Sequence, residues 1–392
     1  MSTVQERSAS RSIGSGDSPL RVSVVIPCLN EADAIEQSVA SAVSALADAA
    51  LAGEVLVVDN GSEDGSAELA ERAGARVIRE PRRGYGSAYL AGFDEARGEY
   101  IVMLDADLTY PAGDIPRFVE QLEDGAELVM GDRMDNIQPG AMPWLHRYVG
   151  NPILSGILNM FFRTGVRDAH CGMRAFRRDV LPKLDLRTTG MEFASEMVIR
   201  AAKERLDIRQ IPIEYRPRAG ESKLSSFRDG WRHLRFLLVH QPTYLFLIPG
   251  AFMSFVGALI TFTVAAQVNV LGRAWDIHTM IAGALLLIVG SQVLSLGLAA
   301  RAYGVYFMGE RDRLFEYLDE RVRLEHGLLA GAGLILLGVL FGGVIVYRWA
   351  ERGFGALSEA RLAVLAASVM IVGIQIFFSS FLLSILGLRR QS

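Results

Sequence analysis

Cysteine is nearly absent from this chain: Cys28 and Cys171 are the two in 392 residues. A disulfide framework is therefore excluded as the basis of the fold, and the pair suits a reducing cytoplasmic compartment. Neither sign of charge dominates, with 40 Lys and Arg against 44 Asp and Glu and a formal net charge of -4. The net charge by itself says nothing about a nucleic-acid partner, and none is expected. The string G-x-G-x-x-G is missing after the first apolar run, which argues against a dinucleotide-binding dehydrogenase, and G-x-x-x-x-G-K-[ST] is missing as well. Residues 1–20 are rich in Ser, Gly and Arg and carry neither an apolar core nor a cleavage pattern. They are expected to form a disordered tail rather than a signal peptide.

Apolar residues are abundant: 51% of the chain is hydrophobic and the mean hydropathy is +0.25, too high for a purely soluble enzyme. They are also unevenly spread. Up to about Val239 short apolar runs alternate with amphipathic ones, whereas long apolar stretches dominate beyond Tyr244. Segments 244–268, 277–300, 327–347 and 362–388 each reach the roughly twenty apolar residues that cross a bilayer. Buried helices of a large soluble domain are the alternative, but four such runs in succession, nearly free of ionisable residues, disfavour it. Arg228, Arg232 and Arg235 precede the first span, Arg301, Arg311, Arg313, Arg321 and Arg323 lie between the second and third, and Arg389 and Arg390 follow the fourth. The opposite side has Arg273 in one loop and Arg348, Arg352 and Arg361 in the other. This asymmetry predicts an integral protein of the cell membrane whose N-terminal domain, middle loop and both termini are cytoplasmic. In segment 221–242, Phe227, Trp231, Leu234 and Leu238 form one helical stripe beside the basic stripe of Arg228, Arg232 and Arg235. Such a helix suits a headgroup surface, and an ordinary helix packed on the soluble domain is the other reading. Ile153, Leu154, Ile157, Leu158, Phe161 and Phe162 have a similar rhythm, fit for core or for covering a lipid.

In the first half, strands are predicted at 22–27, 54–59, 76–79 and 100–104, with helices at 31–49, 66–73 and 87–96 and a glycine-rich loop before the last helix. The alternation predicts a mostly parallel sheet with helices on both faces, an α/β fold. Asp59 and Asp105 both end strands and so share one rim. At that rim Asp105-Ala106-Asp107 offers two hard oxygen donors, a fit for a divalent cation that draws its other oxygens from water and substrate phosphates. Taken alone, the tripeptide reads equally as a turn or a helix cap.

The strings Val24-Val25-Ile26-Pro27-Cys28-Leu29-Asn30-Glu31, Val57-Val58-Asp59-Asn60-Gly61-Ser62, Asp64-Gly65-Ser66, Arg83-Gly84-Tyr85-Gly86-Ser87-Ala88 and Asp105-Ala106-Asp107 together resemble the pattern of glycosyltransferase family 2, over roughly residues 21 to 240. Gly131-Asp132-Arg133, Asp168-Ala169-His170-Cys171-Gly172-Met173-Arg174, Gly190-Met191-Glu192-Phe193 with Glu196, and Arg218-Ala219-Gly220-Glu221-Ser222-Lys223 resemble its dolichyl-phosphate mannose and dolichyl-phosphate glucose synthase branch. That branch includes members with four C-terminal membrane helices. The resemblance implies a GT-A fold, a Rossmann-like nucleotide-sugar-binding domain over residues 21–220, followed by a four-helix transmembrane domain over 243–392. It implies inverting transfer of a hexose from a nucleotide sugar to a membrane polyprenyl or dolichyl phosphate, with Mg²⁺ or Mn²⁺. By the same resemblance Pro27, Asn30, Glu31 and Asp59 hold base and ribose, Gly84 and Gly86 let the backbone approach the nucleotide, and Asp105 and Asp107 bind the metal. Where relatives often have Leu-Gln after the pair, this chain has Leu108-Thr109. Asn60, the Cys171-Gly172-Met173-Arg174 string and the Met191-Glu192-Phe193 string look more like glucose than mannose synthases, which favours UDP-glucose over GDP-mannose.

A bound cation neutralises the departing nucleoside diphosphate as the glycosidic bond stretches. A lipid phosphate, with a second pKa of about 6 by analogy with phosphorylated side chains, is already ionised at pH 7, so no general base is assigned. The acceptor instead needs cations, and Arg supplies bidentate contacts to phosphate. Arg133 is the first candidate, a catalytic residue with Asp107, and Arg174, Arg218, Ser222 and Lys223 follow; surface ion pairs are the alternative. Asp168 and His170 are candidates for the acceptor site, or a turn former and a satisfied surface group. Glu192 and Glu196, four apart, are candidates for the sugar site, or a solvated helix face. Gly220 beside Ser222 and Lys223 suggests a loop that closes over the pyrophosphate. Two other function classes are weighed. A processive polysaccharide synthase usually carries Gln-x-x-Arg-Trp before a membrane helix, and no such string occurs. A non-catalytic flippase or scaffold would usually place ionisable residues in the membrane, where these spans offer little beyond Gln292 and Gln375.

Overall fold

The computed structural model describes residues 20–219, 226–239, 241–269, 275–308, 324–356 and 359–387. Two compact units divide the chain, Met1–Leu237 and Leu238–Ser392.

The first unit is built on a seven-stranded sheet. Its strands are β1 Val22–Cys28, β2 Gly53–Asp59, β3 Arg76–Arg79, β4 Tyr100–Met103, β5 Leu128–Asp132, β6 Arg174–Arg177 and β7 Ile208–Pro212, in spatial order β3-β2-β1-β4-β6-β5-β7. The β1 and β2 sequences are near-continuous apolar runs, as strands covered on both faces require. Alternate residues divide between two cores: Val24 and Ile26 pack with Ile35, Val39 and Phe118, while Val25 packs with Tyr89, Phe93 and Phe193. The first face is covered by α1 Ile35–Asp48, α2 Ser66–Arg72 and α4 Ile115–Glu123, the second by α3 Tyr85–Glu95 and α7 Phe193–Lys203. Between α4 and α7 lie α5 Asn151–Phe162 and the single turn α6 Leu181–Leu184. The pairings β1–β2, β2–β3, β1–β4 and β5–β7 are parallel, and β6 runs antiparallel between β4 and β5. The α1 helix begins four residues later than its pattern predicts, because residues 30–32 are tied across to the loop after β2.

Both amphipathic segments split their faces. Along α5, Leu158 is buried and Leu154, Ile157, Phe161 and Phe162 pack on the second core, while Ile153 and Met160 are exposed. Just before it Trp144, Leu145 and Tyr148 also face outward. In α8, Ser226–Val239, His233 and Leu237 are buried, and Trp231, on the predicted apolar stripe, is 56% exposed.

Among the described residues the second unit has four helices long and apolar enough to cross a membrane: Thr243–Ala265, Ile277–Tyr306, Leu324–Glu351 and Ala360–Gly387. They contain α9 Ile248–Ala265, α10 Ile277–Met308, α11 Leu324–Glu351 and α12 Ala360–Gly387. Glycines seven residues apart, Gly250 and Gly257 on α9 facing Gly283 and Gly290 on α10, bring backbone against backbone; any Cβ there would strike the partner helix. Gly331 and Gly338 on α11 do the same against α12. Small residues at such contacts let helices gain dispersion where lipid offers no hydrophobic drive. The Ser291 hydroxyl donates to Gln375 Oε1, a polar tie between α10 and α12.

Candidate active site

Because β1, β2, β3, β4, β5 and β7 point one way and β6 the other, six strands end, and one begins, on a single rim. That rim gathers Asn30, Asp59, Asp105, Asp107, Arg133, the 168–173 loop and the 216–219 segment from across the sequence. The chain passes from β1 outward through β2 and β3 and returns to β4 on β1's other side. The crevice outside β1 and β4 is thus the switch point where open α/β sheets bind ligands.

The loops after β1 and β2 are stitched together there. The Asn30 amide donates to Ser62 Oγ at 2.9 Å, the Glu63 amide to Asn30 Oδ1 at 2.8 Å, and the Glu31 amide to Ser66 Oγ at 2.9 Å. Asn30 carries a left-handed backbone, φ 51°, which Asn tolerates better than most residues. Asp59 accepts the Ser62 amide at 2.9 Å, so its carboxylate also shapes the turn. Asn60 donates to the carbonyls of Glu80 and Arg82 and accepts the Gly84 amide at 2.7 Å, clamping the loop into α3.

Beyond β4, Asp105 Oδ1 accepts from the Tyr85 hydroxyl at 3.1 Å and the Tyr89 hydroxyl at 3.3 Å. Its other oxygen lies where a Cβ on Gly172 would be, so glycine is what lets the 168–173 loop reach the pair. Burial, and then the neighbouring Asp107 charge, push the Asp105 carboxyl up to about 7. Asp107 Oδ1 is held by the Thr109 amide at 3.1 Å and hydroxyl at 2.6 Å. Thr109 thereby orients a carboxylate, in the position where relatives often have Gln. Leu108 between them has φ 63°, a strained conformation for a bulky residue and of the kind that gathers at ligand sites. Two carboxylates, one of which resists ionising beside the other, form a donor set suited to a hard divalent cation that takes its remaining oxygens from water and diphosphate. Asp105 and Asp107 are the residues that would hold it; among the described residues no group of three or more His, Cys, Asp or Glu is placed to hold a metal.

The arginines divide by burial. Arg133 donates through Nε and Nη2 to Asp168 at 2.6 and 2.8 Å and through Nη1 to the Tyr110 hydroxyl at 3.1 Å, and it stacks 4.9 Å over the Tyr215 ring. Both partners are buried, and Arg133 holds the Asp168 carboxyl below its usual range despite the burial. Arg174 is fully buried, and its three guanidinium nitrogens donate to the carbonyls of Cys171, Ala194 and Ala169. Arg133 and Arg174, expected to meet an acceptor phosphate, thus brace the 168–174 loop under the rim, and each guanidinium has N–H groups beyond the three it gives to protein acceptors. Asp168, expected to line the acceptor site, is Arg133's counter-charge. His170 lies edge-on to His233 of α8, ring centroids 4.7 Å apart, and among the described residues neither of its ring nitrogens has a hydrogen-bond partner. Burial, reinforced by His233, lowers its pKa to about 3. Ser195 Oγ lies 3.0 Å from His233 Nδ1. Burial likewise raises the Cys28 thiol to about 11 and the Cys171 thiol to about 12, which leaves both unreactive.

Gly84 and Gly86, expected to let the backbone approach a nucleotide, are also crowded from within the protein. A Cβ on either would strike the carbonyls of Thr189 or Thr188, so it is the 187–189 segment that approaches them. Gly84 also adopts φ 145°. Glu196, expected at the sugar site, is buried and accepts the amides of Arg187 and Thr188, which fixes that segment. Glu192 lies beside Gly190 at the start of α7. Arg218 Nη2 meets Glu31 Oε1 at 2.6 Å and its Nη1 meets Asp107 Oδ2 at 3.4 Å. Gly220, Ser222 and Lys223 lie outside the described residues. Pro27 is in β1, half-buried behind the rim. The phenols of Tyr85, Tyr89 and Tyr110 went unread in the sequence, although Tyr85 and Tyr89 stand four apart, the spacing that lets two helical side chains meet one acceptor.

Residues 23–185 match the model "Glycosyl transferase family 2", and residues 298–387 match "Glycosyltransferase family 2 C-terminal transmembrane region". Low-salt glycan biosynthesis hexosyltransferase Agl6 of Haloferax volcanii is 43% identical over 93% of this chain and 89% of its own length. A dolichyl-phosphate hexose transferase of the same organism is 38% identical over 45% of this chain and 76% of its own. An undecaprenyl-phosphate 4-deoxy-4-formamido-L-arabinose transferase of Pseudomonas aeruginosa is 30% identical over 79% and 93%.

Proposed function

Since the chain belongs to glycosyltransferase family 2, a GT-A enzyme joined to apolar membrane-type helices, we propose that it transfers a hexose, with inversion, from a nucleotide sugar to a polyprenyl or dolichyl phosphate. UDP-glucose is the favoured donor and GDP-mannose the next. The observation that carries the reading is the Asp105 and Asp107 pair at the sheet's switch point, in a chain that also has four apolar spans. The names of two relatives, a dolichyl-phosphate hexose transferase and an undecaprenyl-phosphate sugar transferase, support the acceptor class.

In this reading Asn30, Glu31 and Asp59, on loops already cross-braced, take the base and ribose. Asp105 and Asp107 hold Mg²⁺ or Mn²⁺, which when bound neutralises the charge gathering on the departing nucleoside diphosphate. The 84–86 turn, held by Asn60 and the 187–189 segment, keeps Tyr85 on Asp105 and so fixes that carboxylate's direction. Arg218 faces the pyrophosphate and the acceptor's phosphate, and Ser222 and Lys223, outside the described residues, are assigned to the same phosphates by sequence alone. Arg133, Asp168 and Arg174 brace the floor of the site, from which the remaining N–H groups of Arg133 and Arg174 meet the acceptor's phosphate. An ionised lipid phosphate attacks without a general base, so the protein's work is to hold two anions together and exclude water. Exposed Trp144, Tyr148 and Trp231 support contact of the catalytic unit with the headgroup layer, where such side chains collect, on the cytoplasmic side.

The test supplies purified protein with a polyprenyl phosphate, Mn²⁺ and radiolabelled UDP-glucose or GDP-mannose. Label should enter the lipid phase with one donor; none with any common donor would refute the reading.

A further inference from the structure

We infer that Arg218 is a built-in counter-ion for Asp107, one that gives way to a divalent cation when a nucleoside diphosphate arrives to take over its guanidinium. The inference rests on the reading of Asp105 and Asp107 as metal ligands.

Three arginines at this rim differ in how completely they are partnered. Arg174 gives each guanidinium nitrogen to a backbone carbonyl, and Arg133 gives each of its own to Asp168 or Tyr110. Among the described residues Arg218 has one short contact, to Glu31 at 2.6 Å, one long one, to Asp107 at 3.4 Å, and a buried Nε with no hydrogen-bond partner. It is also more exposed, its side chain keeping 23% of its surface. A buried N–H without an acceptor costs free energy, so this guanidinium is held by charge in an arrangement that leaves it unsatisfied.

The backbone delivers it there by register. The Arg216 amide donates to the Thr109 carbonyl at 3.0 Å and the Ala219 amide to the Asp107 carbonyl at 3.1 Å, so the 216–219 segment runs along the metal-ligand loop. The cation therefore sits beside Asp107 because the chain is pinned on both sides of it. Next to it a cavity of about 450 Å³, bounded by Ser38, Leu108, Tyr110 and Arg216, gives the side chain room to swing.

A guanidinium and a divalent cation cannot share one carboxylate oxygen without strong mutual repulsion. Metal alone must then compete with Arg218. A diphosphate changes the balance, because it offers the guanidinium a planar bidentate partner and adds oxygens for the metal. When Arg218 turns to the diphosphate it releases Asp107 for the metal and Glu31 for the nucleoside at the same time. Donor and metal should accordingly bind with positive coupling, and by linkage each strengthens the other equally.

The experiment measures Mn²⁺ binding to the detergent-purified full chain by electron paramagnetic resonance, with and without UDP. In the wild type, Mn²⁺ alone should bind weakly and UDP should strengthen it markedly. Arg218→Gln should bind Mn²⁺ alone about tenfold more tightly, and the strengthening by UDP should shrink in proportion. Arg218→Lys, which keeps the charge but reaches one carboxylate at a time, should fall between, and it serves if the Gln variant folds poorly. Unchanged or weaker Mn²⁺ binding in both variants, with binding still abolished by Asp107→Ala, overturns the counter-ion inference and leaves the metal reading standing. No Mn²⁺ binding by any form, even with UDP, overturns the metal reading and the inference with it.

Discussion

Replacing Asp105 with Asn should stabilise the metal-free protein at alkaline pH while destroying its activity. The Asp105 carboxyl titrates at about 7 in the folded chain, against an ordinary value of 3.8, because it is buried beside Asp107. A folded pKa above the unfolded one means that the folded state holds the proton more tightly. Below about 3.8 the group is protonated in both states and costs nothing. Between 3.8 and 7 the wild type loses stability as pH rises, and above 7 the full penalty stands. Three pKa units at about 1.4 kcal/mol each set an upper bound of about 4 kcal/mol. Asn keeps an amide oxygen for the Tyr85 and Tyr89 hydroxyls and carries no charge, so it escapes most of this penalty. In thermal unfolding of the detergent-solubilised chain in EDTA, the variant should melt about 5–10 °C above the wild type at pH 8, and the gap should close toward pH 4. Mn²⁺ with UDP should raise the wild-type midpoint and leave the variant unmoved. A variant that melts at or below the wild type at pH 8 would refute the reasoning, since the carboxylate would then be comfortable without a cation.

Asp107→Ala should abolish transfer and metal-dependent nucleotide binding, with the folded chain still entering membranes, as binding titrations and circular dichroism can check. Asp168→Asn strands the buried Arg133 charge and should cost about 3–5 kcal/mol in denaturant unfolding, whereas Arg133→Met with Asp168→Leu together should cost less. His170, held neutral with a pKa of about 3 against an ordinary 6.5, lets the unfolded chain bind the extra proton. Stability should therefore fall as pH drops below about 6.5, and His170→Phe should flatten that decline in a melting series. Gly84→Ala meets both the Thr189 carbonyl and a left-handed backbone and should lower stability by about 2–4 kcal/mol, with donor KM raised in any protein that folds.

What the sequence made legible was the rim. Strands ending on Asp59 and Asp105 needed only period and length to be found, and so did the four spans. The partners of those residues were another matter, because Arg133 and Asp168 are 35 positions apart and Glu31 and Arg218 are 187 apart. Spacing along the chain cannot tell an arginine that faces solvent from one that is buried, and the fold shows Arg133 and Arg174 to be of the buried kind. Gly84 and Gly86 show the same limit: their need for smallness was plain, but what crowds them comes from residues 187–189. The antiparallel β6 is only four residues long and depends on pairing with strands on both sides. The seven-residue glycine repeats of the membrane helices were visible as letters and gained meaning only once their partner helices were known.

The central claim is that this rim joins a nucleotide-activated hexose to a lipid phosphate. The most direct measurement places the full chain in liposomes with Mn²⁺ and radiolabelled donor, and compares a polyprenyl phosphate with the matching polyprenol. Label should pass to the phosphate lipid alone, with one nucleoside diphosphate released per sugar and none transferred by Asp107→Ala. Equal labelling of the polyprenol, or transfer that survives Asp107→Ala, would contradict the account.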